Sequence, residues 1–367
     1  MSRSGGPGML LDYEDSLYLD RKAWGLNHET NPTCAFDLRP SSDIDLVRRY
    51  GGPVSHAALN PSHRTFRTPG IDGLVGFLLT HRCAVVLGDP MCPPAQRDEL
   101  TAAFVKYCAD NNWSVIYAVA TGNMRNFVNK SGGGMLEFAD LLIANPQHNL
   151  EAGSKGRHLR WNLNHTRRQG VTVREYQGSG SPDNELEAQA MAALASWRAG
   201  RKGFQMYLGS PRLFANRSGC RWFVAEYAGS VVGVLYMMQI NCVGSRYLID
   251  LVFSTPGAPR QTNELMVVSA FQALREEGEE AVCLGVGPKA LLGEIQGFGA
   301  LSSALARRFY KLSNKMVPQH GKTRFWEKFG IVHREPLYLI FQQPRVGIPE
   351  FHALLKTFNF SISDLFR

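Results

Sequence analysis

A basic segment without acidic residues lies in the middle of the 367-residue chain. From residue 155 to residue 174 the sequence contains no aspartate or glutamate, and its cations are Lys155, Arg157, Arg160, Arg167, Arg168 and Arg174. Helical spacing places Arg157, Arg160 and Arg168 on one face and two leucines on another. Such a helix can pack through its leucines while its arginines follow a row of phosphates. A solvated helix face is the alternative, but the missing acids favour phosphate binding.

A second basic series lies closer to the C-terminus. Arg307, Lys311 and Lys315 recur at intervals of four residues, which aligns them along one face of a helix. Lys322, Arg324 and Lys328 follow a few residues later. This series either extends the phosphate-binding surface or forms a solvated face, and the sequence favours neither. The net charge of +8, from 40 Lys and Arg against 32 Asp and Glu, indicates an acidic partner in either case.

Composition and cysteine spacing exclude several classes of protein. With 44% hydrophobic and 20% charged residues, the chain has the composition of a folded protein rather than a disordered one. Its apolar runs are far shorter than the roughly 18 residues of a membrane span, and its Ser/Gly/Pro-rich N-terminus lacks the apolar core of a secretory signal. The seven cysteines form no CxxC pair, which argues against disulfides and zinc. We therefore expect a cytoplasmic protein without a metal or other cofactor.

The elements that would position these residues follow the same order in both halves of the chain. Residues 1–41 are rich in Gly, Pro, Asn and Asp and are predicted to be a loosely ordered leader. In residues 42–154 the patterns predict a helix, a hairpin, a second helix and a strand, at 42–50, 73–79 with 83–87, 95–111 and 113–120. The second half repeats this order. It has predicted strands at 221–227, 230–240 and 247–253, then a helix at 262–277 and a strand at 281–286.

The doubled order predicts an α+β protein with two tandem lobes. The first lobe would span residues 42–154, the basic connecting helix 155–174, and the second, catalytic lobe 175–345. Residues 346–367 form a tail rich in Phe and Leu, which we expect to pack on the body because its few cations do not line a polar face.

This element order resembles the GNAT acyltransferase fold, and six motifs narrow the resemblance. They are residues 85–90, 155–157 with 167–170, 250–251 with 259–264, 284–287, 321–329 and 336–339. In this order they resemble the C-terminal catalytic domain of the lysylphosphatidylglycerol synthases, the multiple peptide resistance factors. The similarity extends from about Ser42 to Phe341, and it implies two tandem GNAT-like lobes.

The resemblance implies transfer of an aminoacyl group from aminoacyl-tRNA to a hydroxyl of a membrane lipid. Bacterial members act on phosphatidylglycerol and fungal relatives on ergosterol, so the acceptor stays open between the two. The cations expected to bind tRNA are Lys155, Arg157, Arg160, Arg167, Arg168, Arg307, Lys311 and Lys315. An acetyl-CoA donor is disfavoured, because the proline-rich loops 88–94 and 255–262 lack the backbone N–H donors that hold a pyrophosphate. The expected partners are aminoacyl-tRNA, the lipid acceptor and an aminoacyl-tRNA synthetase, with peripheral membrane association.

Five residues of the matching motifs are candidates for the chemistry. An aminoacyl ester is already activated, so its transfer needs positioning and charge stabilisation more than a strong nucleophile. Asp250 at a strand end and Glu264 in the first turn of the next helix would bind the α-ammonium group of the donor. Arg260 would orient a carboxylate or meet the terminal tRNA phosphate. Lys322 and Arg324 would stabilise the oxyanion or bind a lipid phosphate.

Structural roles and two other functions remain as alternatives. Asp250 could cap its strand, and Glu264 could complement the helix dipole. The same scaffold could transfer aminoacyl groups to a peptide or peptidoglycan amine, as the Fem-type enzymes do, or bind tRNA without catalysis. A polar acceptor cleft would favour the peptide acceptor, and tRNA affinity that is indifferent to the aminoacyl group would favour the binding protein.

Overall fold

The structure is a computed structural model that describes residues 41–154, 156–178, 182–201, 213–242, 244–316, 320–344 and 346–358. Outside these ranges lie residues 1–40 of the predicted leader, Lys155, and residues 359–367 of the predicted tail.

Nine α-helices and twelve strands occupy the described ranges. The helices are α1 (Asp43–Tyr50), α2 (Arg97–Asp110), α3 (Arg125–Ser131), α4 (Arg157–Arg168), α5 (Asn184–Gly200), α6 (Thr262–Glu276), α7 (Ala300–Met316), α8 (His320–Glu327) and α9 (Ile348–Thr357). The strands are β1 (Arg64–Phe66), β2 (Val75–Thr80), β3 (Cys83–Leu87), β4 (Ser114–Ala120), β5 (Gly134–Ala144), β6 (Thr172–Tyr176), β7 (Cys220–Tyr227), β8 (Ser230–Cys242), β9 (Ser245–Ser254), β10 (Val282–Pro288), β11 (Ile295–Gln296) and β12 (Ile331–Phe341). None of the helices in the described part of the chain is long and apolar enough to cross a bilayer.

Both predicted hairpins are confirmed, and their turns explain the geometry. Strands β2 and β3 are antiparallel, and the turn residues His81 and Arg82 have φ angles of 50° and 57°. Strands β7 and β8 are antiparallel, and Ala228 and Gly229 have φ angles of 49° and 76°. Positive φ at both central residues gives the turn whose twist matches that of the flanking strands.

All twelve strands belong to one mixed sheet. Its order is β1-β2-β3-β4-β12-β5-β10-β9-β8-β7-β6, with β11 paired to β5. The sequence patterns missed β5, because Glu137 and Asp140 interrupt its apolar residues. Strand β12 comes late in the sequence but pairs with β4 and β5 of the N-terminal half, so the sheet is continuous across both halves. The division into two lobes stays a prediction.

The sheet carries a core layer on each face. In β7 the side chains alternate, so that Trp222 packs in one layer and Phe223 in the other. The layer of Phe223 includes Leu163 of α4, whereas that of Trp222 includes Ala306 of α7 and Ala353 of α9. The described part of the tail therefore packs on the body, as predicted. Helices α4 and α7 consequently lie on opposite faces of the sheet.

A buried aspartate fixes the ends of β3 and β4. The Asp89 carboxylate accepts hydrogen bonds from the Thr121 backbone N–H at 2.8 Å and from the Thr121 hydroxyl at 2.6 Å. Gly88 beside it has φ 85°, and a Cβ there would lie 2.9 Å from the Ser55 hydroxyl. Ser55 begins the 3₁₀ turn Ser55–Leu59, so a glycine at position 88 lets that turn approach the end of β3 closely.

Candidate active site and nucleic-acid surface

A histidine–carboxylate pair lies where the 3₁₀ turn meets β9. His56 Nε2 is 3.3 Å from Asp250 Oδ1, and each side chain is about a fifth exposed, at 21% and 23%. A register shift in β9 beside Asp250 accompanies this contact. With Nε2 facing the carboxylate, the other imidazole nitrogen, Nδ1, is the one left to exchange a proton.

Three buried nitrogen atoms near this pair lack hydrogen-bond partners among the described residues. They are His56 Nδ1, His63 Nε2 and Arg48 Nε. Buried polar atoms in folded proteins nearly always have partners, so an arrangement of this kind suits a polar ligand. The Arg48 guanidinium is otherwise held by Ser218 at 2.9 Å and by Gln239. Burial, and secondarily the nearby His56, lowers the pKa of His63 to about 4, so His63 is neutral near pH 7.

Two further groups beside Asp250 stay protonated. The Tyr236 hydroxyl lies 3.2 Å from Cys220 Sγ. Burial raises the pKa of Tyr236, with smaller contributions from Cys220 and Asp250. Burial also raises the pKa of Cys220 above its usual value. A neutral thiol is a poor nucleophile, so this environment does not favour covalent catalysis by Cys220.

The structure gives Asp250 and Glu264 different partners. Glu264 is in the first turn of α6 and accepts a hydrogen bond from Lys328 at 2.8 Å. Helix α6 packs in the layer of Phe223, whereas Asp250 faces Tyr236 in the opposite layer. Because the sheet lies between these layers, the two carboxylates that were predicted to bind the α-ammonium group do not lie together.

Helix α4 carries the predicted basic face, and its arginines divide into two groups. Arg160 donates to the Glu151 carbonyl, and Arg167 Nη1 is 3.4 Å from Glu151 Oε1, so these two hold the preceding loop. Arg157 and Arg168 are exposed and have no ion pair with any described residue. The latter two are therefore the arginines available to phosphates. Lys155 lies outside the described residues.

An aromatic pair that the sequence analysis did not single out lies on the same helix. Trp161 is 66% exposed, and its ring stacks on that of His165 at 5.8 Å with an interplanar angle of 6°. Spacings of three and four residues align both rings with Arg157 and Arg168. An exposed indole flanked by free arginines is a typical stacking surface for nucleic-acid bases. The spacing was visible in the sequence, but the exposure was not.

Arg260 lies next to this surface. Its carbonyl accepts a hydrogen bond from Thr166 of α4 at 2.8 Å, and its side chain is exposed. The loop before α6 is thereby tied to the arginine-bearing helix. Arg260 is thus a predicted chemical residue near the predicted phosphate-binding helix.

The second basic series is only partly available to a ligand. The Arg307 guanidinium donates to the carbonyls of Leu292 and Gly293 at 2.9 and 3.3 Å, so it holds a loop against α7. Lys311 and Arg324 are exposed. Lys315 and Lys322 belong to helices α7 and α8, but their side chains lie outside what the structure describes.

A second charged network, also missed in the sequence, lies on the central strand β5. Lys289 Nζ is 2.7 Å from Glu137 and 2.9 Å from Asp140. Burial raises the pKa of Glu137, but the Glu294 backbone N–H and Lys289 outweigh it and hold this pKa below its usual value. Arg125 forms two hydrogen bonds with Glu294 at 3.1 and 2.9 Å. Across the residues that the structure describes, no three His, Cys, Asp or Glu side chains are grouped as metal ligands.

A family model described as the C-terminal domain of phosphatidylglycerol lysyltransferase matches residues 44–341. The chain belongs to this family. The match includes His56, Asp250 and all of α4. Similar named proteins include the lysylphosphatidylglycerol biosynthesis bifunctional protein LysX of Rhodococcus opacus, with 27% identity over 220 residues, 55% of this chain and 19% of that protein. The phosphatidylglycerol lysyltransferase of Staphylococcus epidermidis is 19% identical over 312 residues, 83% of this chain and 36% of that protein. The chain thus spans about a fifth to a third of these relatives, which are aminoacyltransferases by name.

Solved structures of the family share the fold. The L-PGS structure from Bacillus licheniformis has a TM-score of 0.71 at 20% identity and covers 87% of this chain and 96% of that one. The C-terminal domain of a putative lysylphosphatidylglycerol synthetase from Agrobacterium fabrum has a TM-score of 0.65 at 17% identity, with 86% and 93% covered. The expected family and its mixed α/β fold are therefore confirmed.

Proposed function

We propose that this protein transfers an aminoacyl group from aminoacyl-tRNA to a hydroxyl of a membrane lipid, phosphatidylglycerol or a sterol such as ergosterol. The observation that carries the proposal is the family match over residues 44–341, which includes both the His56–Asp250 pair and the arginine-bearing helix. Such an enzyme would be cytoplasmic and peripheral at the membrane, because its donor is in the cytosol and its acceptor in the bilayer. We retain two tandem GNAT-like lobes joined by α4 as the architectural hypothesis.

The proposed chemistry is a transesterification with one proton transferred. The acceptor hydroxyl oxygen attacks the carbonyl carbon of the aminoacyl ester, and His56 Nδ1 takes the hydroxyl proton. Asp250 holds the imidazole through Nε2 and stabilises the imidazolium that forms. When the tetrahedral intermediate collapses, the bond to the ribose oxygen breaks and His56 returns the proton to that oxygen. No residue needs to become acylated.

Arg48 Nε, which has no hydrogen-bond partner among the described residues, suits the negative charge that develops during this reaction. It is buried, and the same guanidinium is fixed by Ser218 and Gln239. A preorganised donor of this kind stabilises an oxyanion without reorganisation cost. Lys322 and Arg324 remain candidates for a lipid phosphate.

The donor tRNA would lie along α4. Arg157 and Arg168 have no ion pair with any described residue and would bind phosphates, and Trp161 with His165 offers a ring face to an unpaired base. Arg260 beside this helix would meet the terminal phosphates. Glu264 and Asp250 lie on opposite faces of the sheet, so of the two carboxylates Asp250 is the one that would bind the α-ammonium group of an ester that reacts at His56. An aminoacyl-tRNA synthetase would be a transient partner, because it supplies the charged donor.

The test is a transfer assay with both acceptors present. Purified protein is incubated with total tRNA, synthetases, radiolabelled amino acids and vesicles that contain phosphatidylglycerol or ergosterol, and the lipids are separated by thin-layer chromatography. We expect RNase-sensitive label in one lipid. Label that stays on tRNA with both acceptors would overturn the lipid acceptor and favour a peptide acceptor or a binding role.

A matched pair of variants tests the residue assignment. His56→Gln is expected to lower transfer by about 10²- to 10⁴-fold, the usual contribution of general-base catalysis, without weakening tRNA binding. His333 forms a second histidine–carboxylate pair, 3.1 Å from Glu335, but on the surface. His333→Gln should leave transfer unchanged. Equal effects of the two variants would refute the role of His56.

A further inference from the structure

Three leucines form an exposed apolar patch around the start of α7. Leu301 is 86% exposed and Leu305 is 68% exposed, and their spacing of four residues puts them on one face of the helix. Leu291, in the loop between β10 and β11, is 64% exposed. Arg307 binds the carbonyls of the next two residues of that loop, which holds the loop against the helix. We call Leu291, Leu301 and Leu305 the leucine patch.

The other side of α7 is anchored to the body of the protein. Ala306 packs against the core, and the Tyr310 hydroxyl donates to the carbonyls of Phe138 and Lys289 at 2.5 and 2.9 Å. Phe309 contacts Phe351 of α9 with 4.9 Å between ring centroids. The helix is therefore held in one orientation, with its leucines directed away from the core rather than exposed by chance fraying.

The sequence of α7 and its flanking residues carries only positive charges. Between Glu294 and Glu327 the sequence contains no acid, and its cations are Arg307, Arg308, Lys311, Lys315, Lys322 and Arg324. Arg308 follows Leu305 by one helical turn and is exposed, as is Lys311. Apolar side chains flanked by cations on one helix face are typical of a surface that lies on an anionic bilayer.

A nucleic acid explains this surface less well than a bilayer. Polyanion binding uses the cations but gains nothing from solvent-exposed leucines, and the aromatic stacking residues are on α4, across the sheet. Burial of leucine among acyl chains, in contrast, removes apolar area from water. Lys311, one of the cations expected to bind tRNA, would thereby have lipid phosphates as its partner.

We propose that the leucine patch docks this domain onto an anionic lipid surface, with the leucines among the acyl chains and Arg308 and Lys311 at the headgroup phosphates. The proposal goes beyond the proposed function, because it concerns how the protein meets a bilayer and can be tested without any transfer reaction. It also puts the acceptor on the same face of the sheet as Asp250, with the donor helix α4 on the other.

The test is sedimentation of the full chain with vesicles of phosphatidylcholine alone or mixed with phosphatidylglycerol. We expect binding to the mixed vesicles, and a partition coefficient at least about tenfold lower for Leu301→Gln/Leu305→Gln, which corresponds to about 1.4 kcal/mol. Met191→Gln, at an exposed apolar position on α5, is the matched control and should bind like the parent protein. Because all three side chains are exposed, circular dichroism and melting temperature should not change.

Several outcomes would overturn the docking surface. They are failure of the parent protein to bind mixed vesicles, equal binding by the double variant, a homodimer that the leucine substitutions dissociate, and loss of tRNA binding in that variant while vesicle binding persists. The outcomes for the two proposals differ. If vesicle binding depends on the leucines but no lipid is ever labelled, docking stands and the proposed transfer fails. If lipid dispersed in detergent is labelled but vesicle binding ignores the leucines, transfer stands and docking fails.

Discussion

Replacement of Trp161 by alanine should weaken RNA binding without changing its salt dependence. The ring is two-thirds exposed and already stacked on His165, so little energy is needed to order it for a base. Stacking of one base on an aromatic side chain is worth about 1–3 kcal/mol, and Kd should therefore rise by about 5- to 150-fold. Indole carries no charge, so the slope of log Kd against log salt should stay constant.

Arg168→Gln, in contrast, should change the salt dependence of RNA binding. Its guanidinium is exposed and has no ion pair with any described residue, so its loss removes one phosphate contact. The salt slope should fall by about 0.7–0.9, and affinity should fall most at low salt. Arg174, in the same basic stretch, is neutralised by Glu226 at 2.9 Å. Arg174→Gln is therefore the matched control, with a slope close to that of the parent protein.

The assay is fluorescence anisotropy with labelled tRNA between low and high salt, repeated with a blunt duplex RNA. Trp161→Ala should lose affinity for tRNA, which has unpaired bases, but not for the duplex, whose bases are not accessible for stacking. An unchanged Kd for tRNA, or an equal loss on duplex RNA, would refute stacking by Trp161. Equal slopes for the parent protein and Arg168→Gln would refute the assignment of phosphates to α4.

Three stability predictions follow from the buried polar groups. Lys289→Met should cost about 3 kcal/mol in urea unfolding at pH 7, because Glu137 and Asp140 lose their cation. This difference in unfolding free energy from the parent protein should narrow as the pH falls and Glu137 is protonated, and a pH-independent difference would contradict the network. His63 has a folded pKa of about 4, below the roughly 6.5 of the unfolded chain, so its contribution to stability should be lost as pH falls from 6.5 to 4. His63→Gln should therefore make the unfolding free energy less dependent on pH in this range. An unchanged slope of unfolding free energy against pH would exclude His63 as the source of that dependence. Asp89→Ala leaves two Thr121 donors unpaired and should cost about 1–3 kcal/mol, whereas a neutral result in thermal unfolding would show that the turn relaxes.

Local patterns were sufficient for elements whose side chains are uniformly apolar or strictly periodic. Helices α1, α2 and α6 and strands β2, β3, β7 and β8 lie within a few residues of their predicted positions. Strand β5 was missed because Glu137 and Asp140 break its apolar run, and only the pairing with Lys289 shows why carboxylates are tolerated there. A cation from a distant segment is invisible to a pattern of neighbouring residues.

The candidate site, like the fold, was predicted from the sequence only in part. The sequence by itself determined the family resemblance and the basic face of α4, and it predicted a chemical role for Asp250, because each depends on residue type and local spacing. Tertiary structure alone decided that Asp250 meets His56 rather than Glu264, since these contacts depend on which layer each side chain enters. It also decided which arginines are free, and that Trp161, Leu301 and Leu305 are exposed. The exposure of a side chain is set by the packing of the whole chain, so it does not follow from the neighbouring residues in the sequence.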